Sequence, residues 1–269
     1  MKRFINIVLG LAGVVVASSC EDFLTREPIN EFSAETYFSS EIDLKTYTDG
    51  LINSYLPNYS EPAGGDMYND LIAGKQSTNF FRQNYDWTAA TQGEWSWTRL
   101  RRINYMLNGM EKNAKGNVDE ATYNHYEGVA RFWRAYHYFE RINTYGNVPW
   151  TDEYLQPDDE KLYAGRDDRE YVWSKIAEDL KFACENVQGG SKYHTSARIY
   201  VNKWVVCTFA SRAALYEASF RSNYPVNPST NKPWTNEYNS VKDLYQLAAD
   251  AAKIVIDNGG FKLVPKEQY

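Results

Sequence analysis

Apolar residues recur three and four positions apart along much of this chain, the spacing that places them on one side of an α-helix. This spacing predicts a first helix from Glu41 to Tyr55, closed by Pro57, and a second from Trp95 to Met110. A third helix is predicted to begin after Asp119, whose side chain is a good N-cap, and to end at Gly146. The chain up to this glycine therefore indicates a mostly helical protein.

The same periodicity predicts three more helices. They run from about Glu170 to Val187, from about Tyr200 to Phe220 and from about Val241 to Asn258, and glycines follow the first and the last of them. Short patterns also repeat between helices. The repeated positions are Arg134, Ala135 and Tyr138 with Arg212, Ala213 and Tyr216 at an offset of 78, and Trp173, Ile176 and Ala177 with Tyr245, Ala248 and Ala249 at an offset of 72.

These repeats predict two helix–loop–helix units. Alanines in the later helices would let them approach closely, as in tetratricopeptide repeats. The alternative is a helical array without true repeats. We predict a mostly α fold, a tetratricopeptide-like helical repeat array joined to an irregular, loop-rich, ligand-facing segment.

The irregular segment lies between Pro57 and Gly93. It has no helical period and is rich in glycine, asparagine, aspartate and aromatic residues. A long irregular segment inside a compact domain is usually functional or disordered, and aromatic residues are scarce in disordered segments. We therefore expect this segment to be ordered and to face a ligand.

The first residues have the pattern of a secretory signal peptide. Lys2 and Arg3 precede an apolar run over residues 4–16, and small residues lead up to Cys20. The run is too short to span a bilayer as a helix, so we expect residues 1–19 to be removed. The small-small-Cys ending resembles a lipobox, which predicts lipidation of Cys20; the alternative is ordinary secretion. Residues 20–40 would form a lipidated tether to the membrane.

Charge and composition exclude several classes of protein. Without residues 1–19 the 29 basic residues fall to 27 against 35 acidic ones, a net charge of −8, so nucleic acid is not expected as a partner. The three histidines are scattered and no Cys/His cluster has ligand spacing, so neither a metal nor another cofactor is predicted. Cys184 and Cys207 lie in helical patterns and are interpreted as buried structural residues in preference to a disulfide.

Aromatic residues make up 16% of the chain, with 22 Tyr, 12 Phe and 8 Trp. An indole could cover the CH face of a sugar while amide, carboxylate and guanidinium groups bond its hydroxyls. The candidate ligand-binding residues are Asp70, Arg82, Asn84, Trp87, Trp95 and Trp97. One of the last two tryptophans could instead be core. Trp133 and the aromatic stripe from Tyr136 to Phe139 are predicted to be core.

Several longer motifs resemble the SusD/RagB family of surface lipoproteins. They are CEDFLTREP from Cys20, RFWRAYHYFERINTYGNVPW from Arg131, YVWSKIAEDLKFA, ASRAALYEA and the closing AAKIVIDNGGFKL. The resemblance covers essentially the whole chain. It implies a tetratricopeptide-like scaffold and an irregular face that binds an oligosaccharide or peptide nutrient. It also implies delivery of that nutrient to a SusC-like TonB-dependent transporter, which the protein covers as a lid.

The resemblance further implies a lipid-anchored location in the cell outer membrane. Glu21 and Asp22 resemble the signal that sends such lipoproteins to the exterior face; alternatively they only solvate the tether. The pair Trp95 and Trp97 resembles an aromatic arc for glycans. Family members are roughly twice as long, so residues 41–269 are expected to form an N-terminal helical domain that is incomplete at its C-terminus.

An incomplete array would leave the apolar side of its last helix without a partner. That side consists of Leu244, Leu247, Ala251 and Val255.

Other functions stay open at this point. The protein could be a peptide-binding member of the same family or a protein-interaction scaffold without a small ligand. A glycoside hydrolase is the least favoured, because it needs two carboxylates at a defined separation and acidic loop residues are ordinary in a chain of this charge. The acidic pairs are Asp66 with Asp70, Asp158 with Glu160, and Asp167 with Asp168. We do not expect an enzyme.

Overall fold

Six α-helices make up most of the computed structural model, which describes residues 37–55, 95–190, 200–235 and 237–266. They are α1 (Glu41–Tyr55), α2 (Thr98–Gly109), α3 (Glu120–Tyr145), α4 (Arg169–Asn186), α5 (Lys203–Asn223) and α6 (Val241–Asn258). A π-helical turn, Met110–Ala114, continues α2, and a 3-10 turn, Glu160–Tyr163, lies between α3 and α4. After α5 two short antiparallel strands, β1 (Val226–Asn227) and β2 (Lys232–Pro233), form a hairpin with Val226 opposite Pro233.

The boundaries of α3 follow from residues that the sequence supplies at each end. The Asp119 carboxylate accepts a hydrogen bond from the backbone N–H of Thr122 at 3.0 Å and so caps the helix. Gly146 ends the helix with a φ of 72°, a conformation that a residue with a Cβ rarely adopts. Both predicted ends of this helix are confirmed.

Two predicted helix starts are too early. α5 begins at Lys203 instead of Tyr200, because the Asn202 side chain accepts hydrogen bonds from the backbone N–H groups that follow and caps the helix there. α2 begins at Thr98, and residues 95–97 form a non-helical stretch before it. The two tryptophans of that stretch are therefore not held at helical spacing.

Neighbouring helices pack in chain order from α3 onward. α3 packs along α4, α4 packs on α5 and α5 packs along α6, while α1 and α2 pack on α3. Trp173 and Ile176 of α4 are fully buried among these helices. The arrangement confirms the predicted mostly helical array, whereas the irregular segment lies outside the described residues. Among the helices that are described, none has the length and hydropathy of a membrane span.

The apolar side of the last helix, α6, is covered, whereas the sequence predicts that it lacks a partner. Leu244 and Ala251 are buried, with 1% and 2% exposure, because α5 packs along this side of α6. The prediction that they lack a partner is therefore wrong. The exposed side carries Tyr245 and Ile256, which is 77% exposed.

Buried ion pairs join the helices at two places. The Asp179 carboxylate of α4 accepts hydrogen bonds from Nε and Nη2 of the Arg134 guanidinium on α3, at 2.7 and 2.8 Å. On α5 the Glu217 carboxylate lies 2.6 Å from Nη2 of Arg169 and 2.9 Å from Nε of Arg221. Buried charges are tolerated only when they are paired in this way. The burial of these charges therefore depends on α4 staying packed against α3 and against α5.

The two cysteines of the helical array lie on adjacent helices. Cys184 of α4 and Cys207 of α5 are both buried and both free, as the helical patterns around them predict. The Cys207 Sγ lies 4.0 Å from the carbonyl oxygen of Cys184. They contribute to the packing between α4 and α5.

Candidate ligand-binding site

A cavity of about 730 Å³ opens over the C-terminal half of α3. Its volume is in the range of small-molecule sites, about 300 to 1,000 Å³. The residues that line it are Ser96, Arg99, Tyr136, His137, Phe139, Glu140, Arg141, Asn143, Thr144, Phe209 and Arg212. Most of them belong to α3, and the others come from the beginning of α2, the stretch before it, and α5. We refer to this feature as the α3 cavity.

Helical spacing explains how these side chains come to share one space. Tyr136, Glu140 and Asn143 are four and three positions apart, so they lie on one side of α3 and form a continuous strip. Phe209 and Arg212 are three apart and face the cavity from α5. The site is therefore built on helices that the array itself holds in place.

The aromatic part of the lining corrects one prediction. Trp133 and Tyr138 are buried as expected, but Tyr136 and Phe139 are partly exposed and line the α3 cavity. Both rings contact Phe209, with centroid distances of 5.1 and 5.6 Å. Because α3 is aromatic on more than one side, periodicity alone could not show which side its neighbours leave open.

The predicted pair Trp95 and Trp97 lies at the edge of this cavity, since Ser96 between them is part of the lining. The two indoles are edge to face, with centroids 5.1 Å apart, and both are half-buried. Trp97 packs against His137, with centroids 5.7 Å apart. Trp95 packs against Tyr145 at 4.8 Å.

The charged groups of the lining give the α3 cavity a positive surplus. Among the described residues, Arg99, Arg141 and Arg212 line it together with a single carboxylate, Glu140, although the whole chain has a net charge of −6. Burial, followed by the nearby Glu140 carboxylate, raises the pKa of Tyr136.

His137 is the most deeply buried polar group of the lining, with 1% exposure. Burial, followed by the positive charges of Arg141 and Arg99, lowers the pKa of His137 to about 3. Neither ring nitrogen has a hydrogen-bond partner among the described residues. The imidazole is therefore neutral at physiological pH and offers one donor and one acceptor.

The other predicted site residues cannot be placed against this cavity. Asp70, Arg82, Asn84, Trp87 and the lipidation residue Cys20 lie outside the described residues.

Of the acidic pairs considered for hydrolysis, Asp167 and Asp168 have structural roles. Asp167 accepts a hydrogen bond from the backbone N–H of Trp150 at 2.7 Å, and Asp168 caps α4 through the N–H of Glu170 at 2.8 Å. Asp158 is exposed on the loop that precedes the 3-10 turn. Within the described ranges, no group of three His, Cys, Asp or Glu side chains is placed to hold a metal ion.

Comparison of the sequence with known protein families shows which family this chain belongs to. A SusD-like family model, described as "Starch-binding associating with outer membrane", matches residues 22–215, which is more than half of the chain. The chain belongs to the SusD-like family. The resemblance read from the sequence motifs is thereby confirmed. This family binds glycans and associates with the outer membrane.

Individual SusD-like relatives are distant and longer. The chain is 26% identical over 235 residues to SusD-like protein P25 of Formosa agariphila, covering 81% of this chain and 44% of that protein. A solved SusD-like protein of Bacteroides fragilis is 21% identical, with a TM-score of 0.62, covering 89% of this chain and 42% of that one. A structure with xylogluco-oligosaccharide is 19% identical, with a TM-score of 0.50, covering 86% of this chain and 41% of that one. The chain thus spans less than half the length of these relatives, and they support the tetratricopeptide-like fold.

The arginines of the α3 cavity are not among the site residues that the sequence predicts. Arg212 recurs in the repeat at the position of Arg134, which pairs with Asp179 on the next helix. The described part of the chain shows no ion pair for Arg212, and the position 72 residues after Asp179 is Ala251. The second repeat unit thus has the arginine, Arg212, but an alanine in place of its acidic partner. An arginine without its partner in one of two repeats is a sequence signal that could have indicated this site.

Proposed function

We propose that this protein binds an oligosaccharide nutrient at the cell surface and delivers it to a SusC-like TonB-dependent transporter of the outer membrane. The observation that carries the proposal is the α3 cavity, with aromatic rings and hydrogen-bonding groups at its surface and the pair Trp95 and Trp97 at its edge. Membership of a glycan-binding family and a fold neighbour crystallised with a xylogluco-oligosaccharide support the choice of ligand.

The chemistry of the lining suits a sugar. Tyr136, Phe139 and Phe209 present apolar ring surface, which can cover the CH face of a pyranose. Asn143 and Thr144 add groups that can both donate to and accept from sugar hydroxyls. We infer binding without a catalytic step, because Asp167 and Asp168 are already committed to backbone N–H groups.

Replacing Trp97 or Trp95 with Ala should weaken oligosaccharide binding if these indoles stack on a sugar ring. Loss of one aromatic contact is worth on the order of 1 to 2 kcal/mol, hence roughly tenfold in affinity. The measurement is isothermal titration and indole fluorescence with a panel of neutral and charged oligosaccharides and short peptides. Trp204→Ala is the matched control, since Trp204 is also half-buried but is not part of the cavity lining.

Circular dichroism and urea unfolding of each variant separate lost binding from lost folding. Binding of peptides in place of sugars would favour the peptide-binding alternative, and binding of neither would favour a scaffold. Oligosaccharide affinity that is equal in the wild type and both cavity-edge variants would contradict the stacking role.

We further propose that the mature protein is anchored through a lipid on Cys20 and faces the cell exterior. Replacing Cys20 with Ala should release the protein from membranes, because the acyl chains supply its membrane affinity. Labelling of cells with an alkyne fatty acid, followed by fractionation, measures this, with Ser19→Ala as the control that keeps the cysteine. Acyl label that persists in Cys20→Ala would contradict the assignment, and protease treatment of intact cells tests the orientation.

A further inference from the structure

The positive charge of the α3 cavity indicates which oligosaccharides it selects. We propose that this cavity binds oligosaccharides that carry an anionic group, a uronate carboxylate or a sulfate ester, and that Arg99 and Arg212 receive this group. The inference rests on the proposed function, because it assigns the ligand class of the same site.

Most buried or half-buried arginines of the array use their charge in ion pairs. Arg131 and Arg134 contact Asp179, while Arg169 and Arg221 contact Glu217.

Arg99 and Arg212 are instead exposed, and both line the α3 cavity. The Arg99 guanidinium lies over the Tyr55 ring, with its Cζ atom 4.9 Å from the ring centroid. Neither arginine makes an ion pair within the described ranges, and they approach the cavity from α2 and α5 respectively. Two guanidiniums on separate helices that line one cavity form a site for an anion.

A further cation, beyond the three arginines of the lining, lies at the edge of the cavity. The Arg166 guanidinium lies 4.8 Å from the ring centroid of Trp95, and its side chain is exposed. An acidic sugar that reaches the tryptophan pair would therefore meet a positive charge before it enters. The positive surplus extends from the edge to the interior.

The local charge outweighs the negative charge of the protein as a whole. Charges of a solvated surface are screened over about 8 Å at physiological ionic strength, so guanidiniums in contact with a bound anion act on it more strongly than the distant acidic residues do. Hydrogen bonds between a guanidinium fork and a carboxylate or sulfate are also stronger than bonds between neutral groups. A neutral sugar cannot form these charge-assisted hydrogen bonds, so the lining favours a sugar that carries an acidic group.

The anion must also be part of a sugar rather than a free ion, because the same lining carries three aromatic rings. Tyr136, Phe139 and Phe209 provide apolar surface that an inorganic anion cannot use. This combination matches an oligosaccharide with one acidic substituent.

The test compares oligosaccharides that differ only in charge. Titration calorimetry of the mature protein would use galactotetraose, tetragalacturonate and a sulfated galactotetraose, each at low and high salt. We expect at least one charged oligosaccharide to bind about tenfold more tightly than the neutral one, with the difference shrinking at high salt, because a hydrogen bond to a charged group is worth roughly 1.5 kcal/mol or more. The two charged ligands distinguish a carboxylate from a sulfate site.

Two variants locate the effect. Arg99→Gln and Arg212→Gln should each reduce the affinity for the charged ligand about tenfold and leave the neutral ligand unchanged. Arg101→Gln is the matched control, because Arg101 is two positions from Arg99 on α2 but stacks on Tyr154, 4.4 Å from its ring centroid, away from the cavity lining.

The outcomes separate this inference from the proposed function. Equal binding of charged and neutral oligosaccharides, sensitive to the tryptophan variants, would overturn the anionic selectivity and leave oligosaccharide binding intact. Arginine variants that weaken all ligands equally would also overturn it. No binding of any oligosaccharide would overturn both.

Discussion

Replacing Glu217 with Gln should lower the free energy of unfolding by about 3 to 5 kcal/mol, the cost of breaking a buried ion pair by neutralising one partner. The Glu217 side chain is fully buried and contacts two guanidiniums, those of Arg169 and Arg221. Removing its charge leaves both cations inside the protein with Glu170 as the remaining carboxylate of the cluster, 3.5 Å from Arg221.

The cluster around Glu217 reaches beyond its own helix. Arg169 also donates to the backbone carbonyl of Ile142 and to the Asn143 side chain of α3. Glu170 accepts hydrogen bonds from the backbone and side chain of Thr235, in the segment before α6. A single substitution therefore disturbs contacts of α3, α4, α5 and the segment before α6, which is why its effect should be large.

Urea unfolding followed by circular dichroism measures this effect. The matched control is Glu153→Gln, which removes an equally short ion pair with Lys161 at 2.6 Å, but one between exposed side chains. Exposed pairs contribute little to stability because water and salt screen them. Equal midpoint shifts for the two variants would contradict the role assigned to burial.

Acidification should destabilise the protein through His137. The pKa of this imidazole is about 3 in the folded protein, against roughly 6.5 in an unfolded chain. Between these values the unfolded state takes up a proton that the folded state excludes, so stability is complete above about pH 6.5 and is lost as the pH falls toward 3. The loss should approach about 1.4 kcal/mol per pH unit.

The comparison of wild type with His137→Gln isolates this contribution, because carboxylates that also titrate in this range are common to both proteins. Urea unfolding at several pH values from 7.5 to about 4.5 should give a steeper decline for the wild type, by roughly 2 to 3 kcal/mol over the two units below pH 6.5. Parallel curves would show that His137 does not titrate differently on folding. Nuclear magnetic resonance titration of the imidazole provides a second measurement if the variant folds poorly.

The sequence predicts the helices of this protein well and its cavity poorly, for a physical reason. Helix ends depend on local groups, so Asp119 and Gly146 could be recognised from their neighbours alone. Whether Tyr136 is core or cavity lining depends instead on where α5 passes, and Phe209 is 73 positions away in the chain. Periodicity records which residues are apolar, and it does not record what covers them.

The same distinction explains the candidate ligand residues. The sequence points to Trp95 and Trp97 because indoles are rare and these two are close together in the chain. It does not point to Arg99 and Arg212, because arginine is common on helix surfaces and only the fold shows that these two line the same space. Long-range proximity was the information that the sequence lacked.

The charged cluster around Glu217 also has a consequence for how the protein comes apart. In helical repeat proteins each unit contacts only its neighbours, so a terminal unit can fray while the rest stays folded. Here the departure of α5 and α6 would take the Glu217 carboxylate from Arg169 and the Arg221 guanidinium from Glu170, and would leave these two buried charges behind on α4. Partial unfolding from this end is therefore unfavourable. We expect the array to unfold in one cooperative step, and α3 and α5, which flank the α3 cavity, to keep their spacing until then.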